Sequence, residues 1–391
     1  ITLKNRILST GHDTSYRTDG TVNARLIAYH EARAAGGAGI IISQVAAVDE
    51  RAFYTNHCLS ALSDDCIAGY SRLARACHAY DCRILGQLFH PGREIIDLVD
   101  GAMTVAYGPS ATPNERFHVM PRPFSTTQIK MLVDAYGDAA LRMKQAGLDG
   151  VEIVASHGYL PAQFLNPRVN RRTDEYGGDF DNRIRFLREV VHNIRDNVGD
   201  YVIGLRISVD ENDTDGLRDD EAFASCEALN GPDELDYFNV IAGSSATLGG
   251  AVHIVPPMAV ETAYVAPYAA TIKSRVDKPV FVAGRINQPQ IAESVLASGQ
   301  ADVCGMTRAL ICDPCLPNKA QSGRTEDIRA CIGCNQACIG HFHQGYPISC
   351  IQNPEAGRER LYAERPLANP CLLYTSPSPR DGLLSRMPCS A

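Results

Sequence analysis

The sequence predicts an α/β protein whose eight parallel strands close into a (β/α)8 TIM barrel. Eight apolar, strand-like segments alternate with amphipathic, helix-like segments between residues 6 and 306, and this alternation is typical of a parallel sheet covered by helices. Eight such units favour a closed barrel over an open, doubly wound sheet. A G-x-G-x-x-G motif, which a dinucleotide-binding sheet would carry after its first strand, is absent from that place.

The strand predictions rest on short apolar runs. Residues 38–48 (AGIIISQVAAV) are apolar almost throughout, as expected of a strand that is covered on both faces. The other predicted strands are similar runs at residues 6–10, 82–90, 149–156, 201–208, 236–243, 279–284 and 301–306.

The helix predictions rest on amphipathic segments between those strands. Residues 21–37 carry apolar side chains at helical spacing and end in two glycines, which are helix-stop signals. The connection that ends at Ser125 is too long for a plain turn and is predicted to be a loop over a site; another long loop ends near Asp179. The remaining predicted helices are at residues 64–80, 126–147, 181–199, 219–229, 259–276 and 287–299.

Composition and charge exclude several classes of protein. The 391-residue chain has a net charge of −8, which argues against nucleic acid or an anionic membrane as a partner, and no apolar run is long enough to span a bilayer. Its 14 cysteines, four of them in one short run, suit a reducing compartment and a metal site better than a secreted disulfide scaffold. We therefore expect a cytoplasmic enzyme for a small-molecule substrate, and a homo-oligomer is allowed.

The densest motif in the chain is CIGCNQACIGHFHQGYPISC, residues 331–350. Its cysteines are separated by two, three and eleven residues, and four thiolates around one point suit a tetrahedral zinc ion or an iron–sulfur cube. Structural zinc sites usually pair two Cys-x2-Cys motifs, whereas three close ligands and one distant ligand favour a [4Fe–4S] cluster. Zinc and buried or disulfide-bonded cysteines are the alternatives. The predicted ligands are Cys331, Cys334, Cys338 and Cys350.

Two loops that contain glycine and arginine end the last two predicted strands. They read VAGRI (282–286) and GMTRAL (305–310), and barrels often bind phosphate with these loops. Gly284 lets backbone N–H groups approach an anion, while Arg285 and Arg308 add charge-assisted hydrogen bonds beside a helix N-terminus. A phosphorylated cofactor is predicted; two tight turns with solvated arginines are the alternative.

Other polar residues lie in or just after the predicted strands, where a barrel places its site. Gln87 and Arg206 stand in apolar strands, where an unpaired amide or charge is costly; Gln87 is expected to bind a polar ring, and Glu152 is an alternative partner for Arg206. His157 and Tyr159 follow the fourth strand, and either could protonate a substrate, unless the histidine is merely packed in its loop. The strand-end residues are His12, Val45, Gln87, His90, His157, Arg206, Gly243, Gly284 and Arg308.

Longer stretches of the sequence resemble the old yellow enzyme family of FMN barrels. The resemblance covers about residues 3 to 355 and is nearest to the iron–sulfur branch, which includes 2,4-dienoyl-CoA reductase, trimethylamine and histamine dehydrogenases and N-methylproline demethylase-like proteins. The shared stretches are LKNRI at Leu3, YHEARAAGG at Tyr29, GQLFHPGR at Gly86, HGYLPAQFLNP at His157, NRRTDEYGG at Asn170, NRIRFLREV at Asn182, FVAGRI at Phe281, GMTR at Gly305 and CIGCNQAC at Cys331.

The resemblance implies a role for each candidate site residue. FMN would contact backbone groups of Thr10, Gly11 and Val45, while Gln87 would bind its pyrimidine edge and Arg206 its N1/O2 side. The four motif cysteines would bind the cluster, and two residues after the fourth strand would bind substrate and donate a proton. The residues with these substrate-binding and proton-donating roles would be His157 and Tyr159. The residues that would hold the FMN phosphate are Gly284, Arg285, Thr307 and Arg308.

The sequence departs from the family pattern at two positions. Val154 stands where relatives carry a polar residue of the substrate site, and this weakens both a reductase and an amine-oxidising assignment. Asp13 stands where trimethylamine dehydrogenase attaches FMN covalently through cysteine, so FMN is expected to be non-covalent here.

The resemblance implies an NAD(P)H:flavin oxidoreductase that depends on FMN and [4Fe–4S]. It would reduce an activated C=C bond of an enone or dienoyl thioester by hydride transfer from FMN N5. Because a cluster carries one electron at a time, an electron donor or acceptor, either NAD(P)H or an electron carrier, is expected as partner. The alternatives are an amine dehydrogenase or N-demethylase, an electron-transfer or accessory subunit, and a zinc-containing barrel that binds another phosphorylated ligand.

The predicted domains follow the same resemblance. Residues 1–320 are expected to form the FMN-binding barrel, with a truncated N-terminus because the chain begins without methionine, and residues 321–370 to bind the cluster. Residues 371–391 resemble a translated adapter or cloning scar and are left out of the fold prediction. Relatives continue into FAD- and NAD(P)-binding domains, so FAD and NAD(P)H are expected only in those missing parts.

Overall fold

Eight parallel strands close into a barrel in the computed structural model, which describes residues 1–16, 19–96 and 105–363. Strand β1 pairs with both β11 and β2, and this double pairing closes the cylinder in the order β1-β11-β10-β9-β8-β7-β4-β2. The predicted (β/α)8 barrel is confirmed. The described strands are β1 (Ile7–Ser9), β2 (Ile40–Ala47), β3 (Leu59–Ser60), β4 (Arg83–Phe89), β5 (Tyr107–Gly108), β6 (Arg122–Pro123), β7 (Gly150–Ala155), β8 (Val202–Ser208), β9 (Tyr237–Ile241), β10 (Val280–Ala283) and β11 (Val303–Gly305).

Side chains from six neighbouring strands of the barrel form an apolar layer in its interior. Tyr237 on β9 stacks on Phe281 of β10 with ring centroids 4.3 Å apart, and β2 is buried along its whole length, as its apolar run predicted. The core is thus packed rather than hollow. The apolar layer inside the barrel consists of Leu8, Ile40, Ile42, Leu85, Tyr237, Phe281 and Val303.

Helices cover the outside of the barrel. The longest, α3, begins with a capping box at Ser125 and Gln128, which satisfies two otherwise unpaired backbone N–H groups. The described helices are α1 (Ala24–Ala35), α2 (Asp65–His78), α3 (Thr126–Gln145), α4 (Leu160–Leu165), α5 (Phe180–Val198), α6 (Asp219–Ala228), α7 (Leu248–Ile254), α8 (Ala266–Lys273), α9 (Pro289–Ala297), α10 (Thr307–Cys312), α11 (Leu316–Gln321), α12 (Ile339–Phe342) and α13 (Glu359–Ala363).

Three predicted segments differ from the structure. The helix predicted over 259–276 begins only at Ala266, because Pro267 lacks an N–H and is tolerated only in the first turn of a helix. Helix α7 lies before this segment. The long loop after β7 contains the short helix α4, which starts with a proline in its first turn. Before Ser125 the chain forms the small β5–β6 pair, and residues 97–104 of that predicted loop lie outside the described residues.

The C-terminal segment packs back onto the barrel. Arg33 of α1 is fully buried and forms an ion pair with Glu359 of α13 at 2.8 Å, and Ile348 donates its N–H to the carbonyl of Thr14. The proposed domain limits stay predictions, and the tail prediction for 371–391 lies outside the described residues. Within the described ranges, none of the helices combines the length and apolarity that a bilayer crossing needs.

Candidate active site

A deep cavity opens at the C-terminal ends of the barrel strands, where the sequence predicted the site. Strand ends, the loop around Arg116 and the cysteine-rich segment build its walls. The sequence-predicted residues that line it are Thr10, Gly11, His12, Val45, Gln87, His157, Tyr159, Arg206, Gly284, Arg285, Thr307, Arg308, Cys331 and Cys338.

Two residues selected at strand ends face away from this cavity. His90 is buried behind β4, where its Nδ1 accepts the N–H of Gly92 at 3.0 Å. Gly243 has a left-handed backbone (φ +93°) and donates its N–H to the carbonyl of Asp210. A place at the end of a strand therefore did not by itself predict which groups face the cavity.

The floor of the cavity holds a buried hydrogen-bond network. Gln87 Nε2 donates to Glu152 Oε1 at 2.7 Å, and Glu152 Oε2 accepts from Tyr237 Oη at 3.0 Å and Asn239 Nδ2 at 2.8 Å. These bonds offset the cost of removing the polar groups from water. A Cβ atom at Gly11 would lie 2.4 Å from Gln87 Oε1, so a larger residue there would displace the amide from its place beside Glu152.

Arg206 on β8 is a buried cation without a direct carboxylate partner among the described residues. Its Nη1 donates to the carbonyl of Gly11 at 2.9 Å, while its Nε has no hydrogen-bond partner there. Burial lowers the pKa of Arg206, and the nearby Glu152 raises it without forming an ion pair. The guanidinium therefore presents unused donors to the cavity.

The ends of β1, β10 and β11 bring together the positions predicted to bind phosphate. Thr307 Oγ1 lies 2.7 Å from Thr10 Oγ1 and accepts the N–H of Thr10 at 2.9 Å. Arg285 has a left-handed backbone (φ +53°), and its buried Nε lacks a partner among the described residues. A Cβ at Gly284 would lie 2.4 Å from Val265 Cγ2, so this tight turn requires glycine.

Arg308 lies in the wall between the main cavity and a second, smaller cavity. Its Nη1 donates to the carbonyl of Pro256 at 2.7 Å and to Asn335 Oδ1 at 2.8 Å. Burial lowers the pKa of Arg308. The side chain is thus held in place by neutral acceptors, which leave its positive charge available to an anion.

The four cysteines of the 331–350 motif line the second cavity together. The twelve cysteines in the described residues are free thiols, so the disulfide alternative is not observed there. In the same part of the chain no three His, Cys, Asp or Glu side chains are arranged to hold a metal ion. Cys312, which the sequence analysis did not select, hydrogen-bonds to Cys350 and lowers the pKa of that thiol to about 6.

His157 and Tyr159 follow β7 and face the cavity as predicted. His157 Nδ1 lies 2.7 Å from Ser156 Oγ, and burial lowers the pKa of His157 well below its ordinary value, so the ring is neutral near pH 7. The Tyr159 ring packs edge-on against Phe89 with centroids 4.6 Å apart. Burial, and after it the charge of Glu94, raises the pKa of Tyr159, so the phenol keeps its proton.

Side chains without a predicted role also line the cavity, among them Asp13, Tyr54, Glu94 and Arg116. Tyr54 Oη donates to Asp13 Oδ2 at 3.2 Å, and burial raises the pKa of Asp13. Glu94 Oε2 accepts from Ser245 Oγ at 2.8 Å, and burial raises the pKa of Glu94 to about 7. The sequence signal for Glu94 was a charged residue directly after the GQLFHPGR run, in a connection without periodic pattern.

Comparison with known protein families decides which family this site belongs to. The sequence model of the NADH:flavin oxidoreductase / NADH oxidase family matches residues 1–327. The chain belongs to this family. It is the old yellow enzyme family that the sequence resemblance indicated, and its members are oxidoreductases.

Curated relatives of this old yellow enzyme family member carry several different activities in their names. A metal reductase from Desulforamulus reducens is 40% identical over 95% of this chain and 54% of its own length. An NADH oxidase from Thermoanaerobacter brockii is 37% identical over 93% of this chain and 56% of its own. An N,N-dimethylglycine/sarcosine dehydrogenase from Chromohalobacter salexigens is 35% identical over 92% and 52%, respectively.

Solved structures agree with the barrel and its C-terminal segment. A 2-naphthoyl-CoA reductase complex superposes with a TM-score of 0.85 at 30% identity, covering 91% of this chain and 56% of that one. The 6-hydroxypseudooxynicotine amine oxidase of Pseudomonas geniculata N1 gives a TM-score of 0.82 at 30% identity, with 93% and 54% covered. The chain therefore spans about half the length of the relatives it matches.

The cavity of this flavin oxidoreductase family member fits FMN by its donor chemistry. Arg206 and Arg285 line the cavity, and the buried Nε atom of each lacks a partner among the described residues. A Cβ at Gly305 would lie 2.6 Å from Ala283 Cβ and 2.8 Å from Thr10 Cγ2, so the phosphate end has backbone that only glycine allows. Unused cationic donors beside exposed backbone suit a phosphorylated, polar ring ligand.

The second cavity fits an iron–sulfur cube by its donor set. Four free thiols line one small space, and thiolates are the ligands of [4Fe–4S] clusters. Cysteine thiolates also bind structural zinc, so the donor set by itself suits either group.

Proposed function

We propose that the chain is an FMN- and [4Fe–4S]-dependent oxidoreductase that reduces an activated C=C bond, such as that of an enone or dienoyl thioester. The observation that carries the proposal is the cavity itself. It joins a polar floor, an arginine- and glycine-rich phosphate end and a protonated phenol, and four cysteines line an adjoining space. Family membership supplies the flavin class of chemistry.

Each end of FMN has matching residues in the cavity. Gln87 and Arg206 would hold the pyrimidine edge and the N1/O2 side, because an amide offers both donor and acceptor and a guanidinium favours negative charge there. Backbone groups of Thr10, Gly11 and Val45 would contact the rest of the ring. The phosphate would be held by Gly284, Arg285, Thr307 and Arg308.

Proton delivery falls to Tyr159 in this proposal. Bound FMN supplies a hydride donor or acceptor at N5. Tyr159 keeps its proton at neutral pH, since burial raises its pKa, and it can pass that proton to a carbanion-like carbon. His157 is neutral and hydrogen-bonded to Ser156, so it would orient a substrate carbonyl rather than act as the acid.

The cluster would connect the site to a distant redox partner. Cys331 and Cys338 line both cavities, so Cys331, Cys334, Cys338 and Cys350 would hold [4Fe–4S] next to the flavin. NAD(P)H or an electron carrier would be the donor or acceptor. FAD and NAD(P)H binding would belong to the half of the relatives' length that this chain does not span.

Amine oxidation is the second candidate, and the acidic residues of the cavity favour it. Asp13 and Glu94 line the cavity, and a cationic amine bound beside either group would favour its ionised form and be attracted to the resulting carboxylate. Dehydrogenation of an N-methylated amine would run the flavin chemistry in the opposite direction and send electrons out through the cluster. The dimethylglycine/sarcosine dehydrogenase relative is named for such a reaction.

A visible spectrum and a substrate panel test the proposal. We expect anaerobically purified protein to show flavin bands and a broad cluster absorbance that dithionite bleaches. After photoreduction, reoxidation by enones or dienoyl thioesters supports the reductase, whereas bleaching of the oxidised flavin by N-methylated amines supports the second candidate. A coloured protein that reacts with neither class would be an electron-transfer or accessory subunit, and a colourless, iron-free protein would contradict the cofactors.

A further inference from the structure

We propose that Arg116 binds the carboxylate of the substrate, so that the cavity selects monoanionic over neutral molecules. This deepens the proposed function and rests on it, because it assigns a substrate class to the same cavity. Arg116 is suited to this role by its positive charge, by the weak charges of the ionisable groups near it, and by its place in the cavity that contains Tyr159.

Arg116 is a cation in the cavity wall without an ion-pair partner in the described part of the chain. Its Nη1 donates to the carbonyl of Ser245 at 2.9 Å, and its guanidinium lies 4.9 Å from the centroid of the Phe117 ring. Burial lowers the pKa of Arg116, and Glu94 and Tyr159 only partly raise it. Within the described ranges, only one of its five N–H donors has a protein acceptor, so four can bind a ligand.

Neighbouring acids do not neutralise this charge. Glu94 is the nearest acidic influence, but its Oε2 accepts from Ser245 Oγ and its Oε1 lies 3.7 Å from Arg93 Nε. Burial raises the pKa of Glu94 to about 7, which weakens its negative charge relative to an ordinary carboxylate. A buried carboxyl with a raised pKa leaves the guanidinium as the dominant charge at this end of the cavity.

The positive charge is single, which distinguishes a carboxylate from a phosphate. Among the basic side chains of the described cavity wall, His343 is near enough to Arg116 for that charge, after burial, to lower its pKa. The imidazole is therefore neutral near pH 7. One planar guanidinium matches the two oxygens of a carboxylate, whereas a dianionic phosphate would favour several cations or a helix N-terminus.

The position of Arg116 also fits catalysis. Tyr159 and Arg116 both line the cavity, and Tyr159 is near enough to raise the pKa of Arg116. Apolar and aromatic side chains complete this side, including Tyr54, Phe117 and Phe342. If Arg116 binds the carboxylate of a substrate, the carbon skeleton would pack against these rings in the cavity that also contains Tyr159.

Benzoate and benzamide provide a charge-matched test, since they have the same shape and neither reacts. We expect oxidised wild-type holoenzyme to bind benzoate at least 10-fold more tightly than benzamide, measured by the change in flavin absorbance on titration. Arg116→Gln should weaken benzoate binding at least 10-fold, about 1.4 kcal/mol, and leave benzamide binding unchanged. Arg116→Lys should keep part of the preference, and Arg122→Gln, an exposed residue of β6, should keep all of it.

Equal binding of the two ligands by the wild type, or equal losses in Arg116→Gln, would overturn the inference. The flavin-to-protein ratio and the circular dichroism of each variant separate a binding effect from misfolding, and if Arg116→Gln misfolds, the wild-type preference and Arg116→Lys decide. If the purified protein contains no flavin, the proposed function fails by itself. Calorimetric titration of that flavin-free protein with the same two ligands then decides the carboxylate preference separately.

Discussion

At the scale of single residues, Arg308 makes the sharpest prediction about the cofactor. It stands at the predicted phosphate end with both of its hydrogen bonds going to neutral acceptors. Arg308→Ala should weaken FMN binding about 10- to 100-fold, because a hydrogen bond between charged groups contributes roughly 1.5–3 kcal/mol. The dissociation constants of FMN and riboflavin, measured by flavin fluorescence, provide the comparison.

Riboflavin is the internal control for that experiment, because it lacks the phosphate. Its affinity should hardly change in Arg308→Ala, and Arg275→Ala, a half-exposed arginine on the outer surface, should change neither affinity. Equal losses for FMN and riboflavin would show that Arg308 supports the cavity wall instead of binding phosphate.

Glu94 predicts a pH dependence of stability. Its pKa is raised by burial from 4.5 to about 7, so the folded state binds this proton more tightly than the unfolded state does. The contribution of Glu94 to stability is therefore highest below pH 4.5 and falls as the pH rises towards 7, by roughly 3 kcal/mol at about 1.4 kcal/mol per pKa unit. Glu94→Gln should remove this contribution to the decrease in stability between pH 4.5 and 7, because glutamine does not ionise.

Scanning calorimetry of the holoenzyme from pH 5 to 8 measures the effect. In Glu94→Gln the midpoint temperature should fall less steeply with pH than in the wild type. Some pH dependence should remain in this variant, because burial also raises the pKa of Glu211 to about 7. Glu115→Gln, which makes the same change at an exposed glutamate, is the matched control. A Glu94→Gln profile as steep as that of the wild type would contradict the assignment.

The site residues differ in how visible they were in the sequence. Gln87 and Arg206 stood out because a polar side chain in an apolar strand requires a partner. Glu94 and Arg116 lie in irregular connections, where charged residues are ordinary and no period says which way a side chain points. Their meeting at Ser245 depends on how separate loops fold together, and local patterns do not encode that.

At the scale of elements, the strands were predicted more accurately than the helix that follows β9. An apolar run buried on both faces is specific to a parallel strand, as in β2. The predicted helix over 259–276 combined an irregular turn with α8, because its apolar residues continue across Pro267, which α8 accommodates only in its first turn. Sequence period alone does not show where backbone hydrogen bonds stop.

The ion pair between α1 and α13 predicts how the C-terminal segment is attached. Arg33 is fully buried, and Glu359 is its carboxylate partner at 2.8 Å. Glu359→Ala should lower the free energy of unfolding by about 3 kcal/mol, because it leaves a buried charge unpaired. Urea unfolding followed by circular dichroism gives the value, and the exposed Glu355→Ala should change it by less than about 0.5 kcal/mol. A similar small change in both variants would mean that water reaches Arg33.

At the scale of the whole molecule, the fold brings the main cavity and the smaller cysteine-lined cavity side by side, whereas the sequence predicted the two sites separately. The barrel followed from eight repeated units, and the cysteine motif from its spacing. The two cavities share a wall because residues 331–350 return to the barrel mouth, and sequence patterns do not predict that return. The residues that line both cavities are Arg308, Ile311, Cys331 and Cys338. The proposed route for electrons depends on this shared wall.

Cys338→Ser tests whether that wall separates two independent functions. The variant should lose its iron, because a cube needs its thiolate ligands, yet keep FMN, since the proposed flavin contacts come from strand ends. Its flavin should still be reduced by dithionite, while electron transfer from the reduced flavin to an external one-electron acceptor should slow at least 10-fold.

Cys312→Ala is the matched control, because Cys312 touches Cys350 without belonging to the motif, and it should keep both iron and transfer. Zinc in place of iron in the wild type, full iron content in Cys338→Ser, or unchanged electron transfer after iron loss would each contradict the relay. Loss of flavin together with iron would mean that the motif supports the barrel mouth as a structural unit, and the two cavities would then depend on each other for folding as well as for electron transfer.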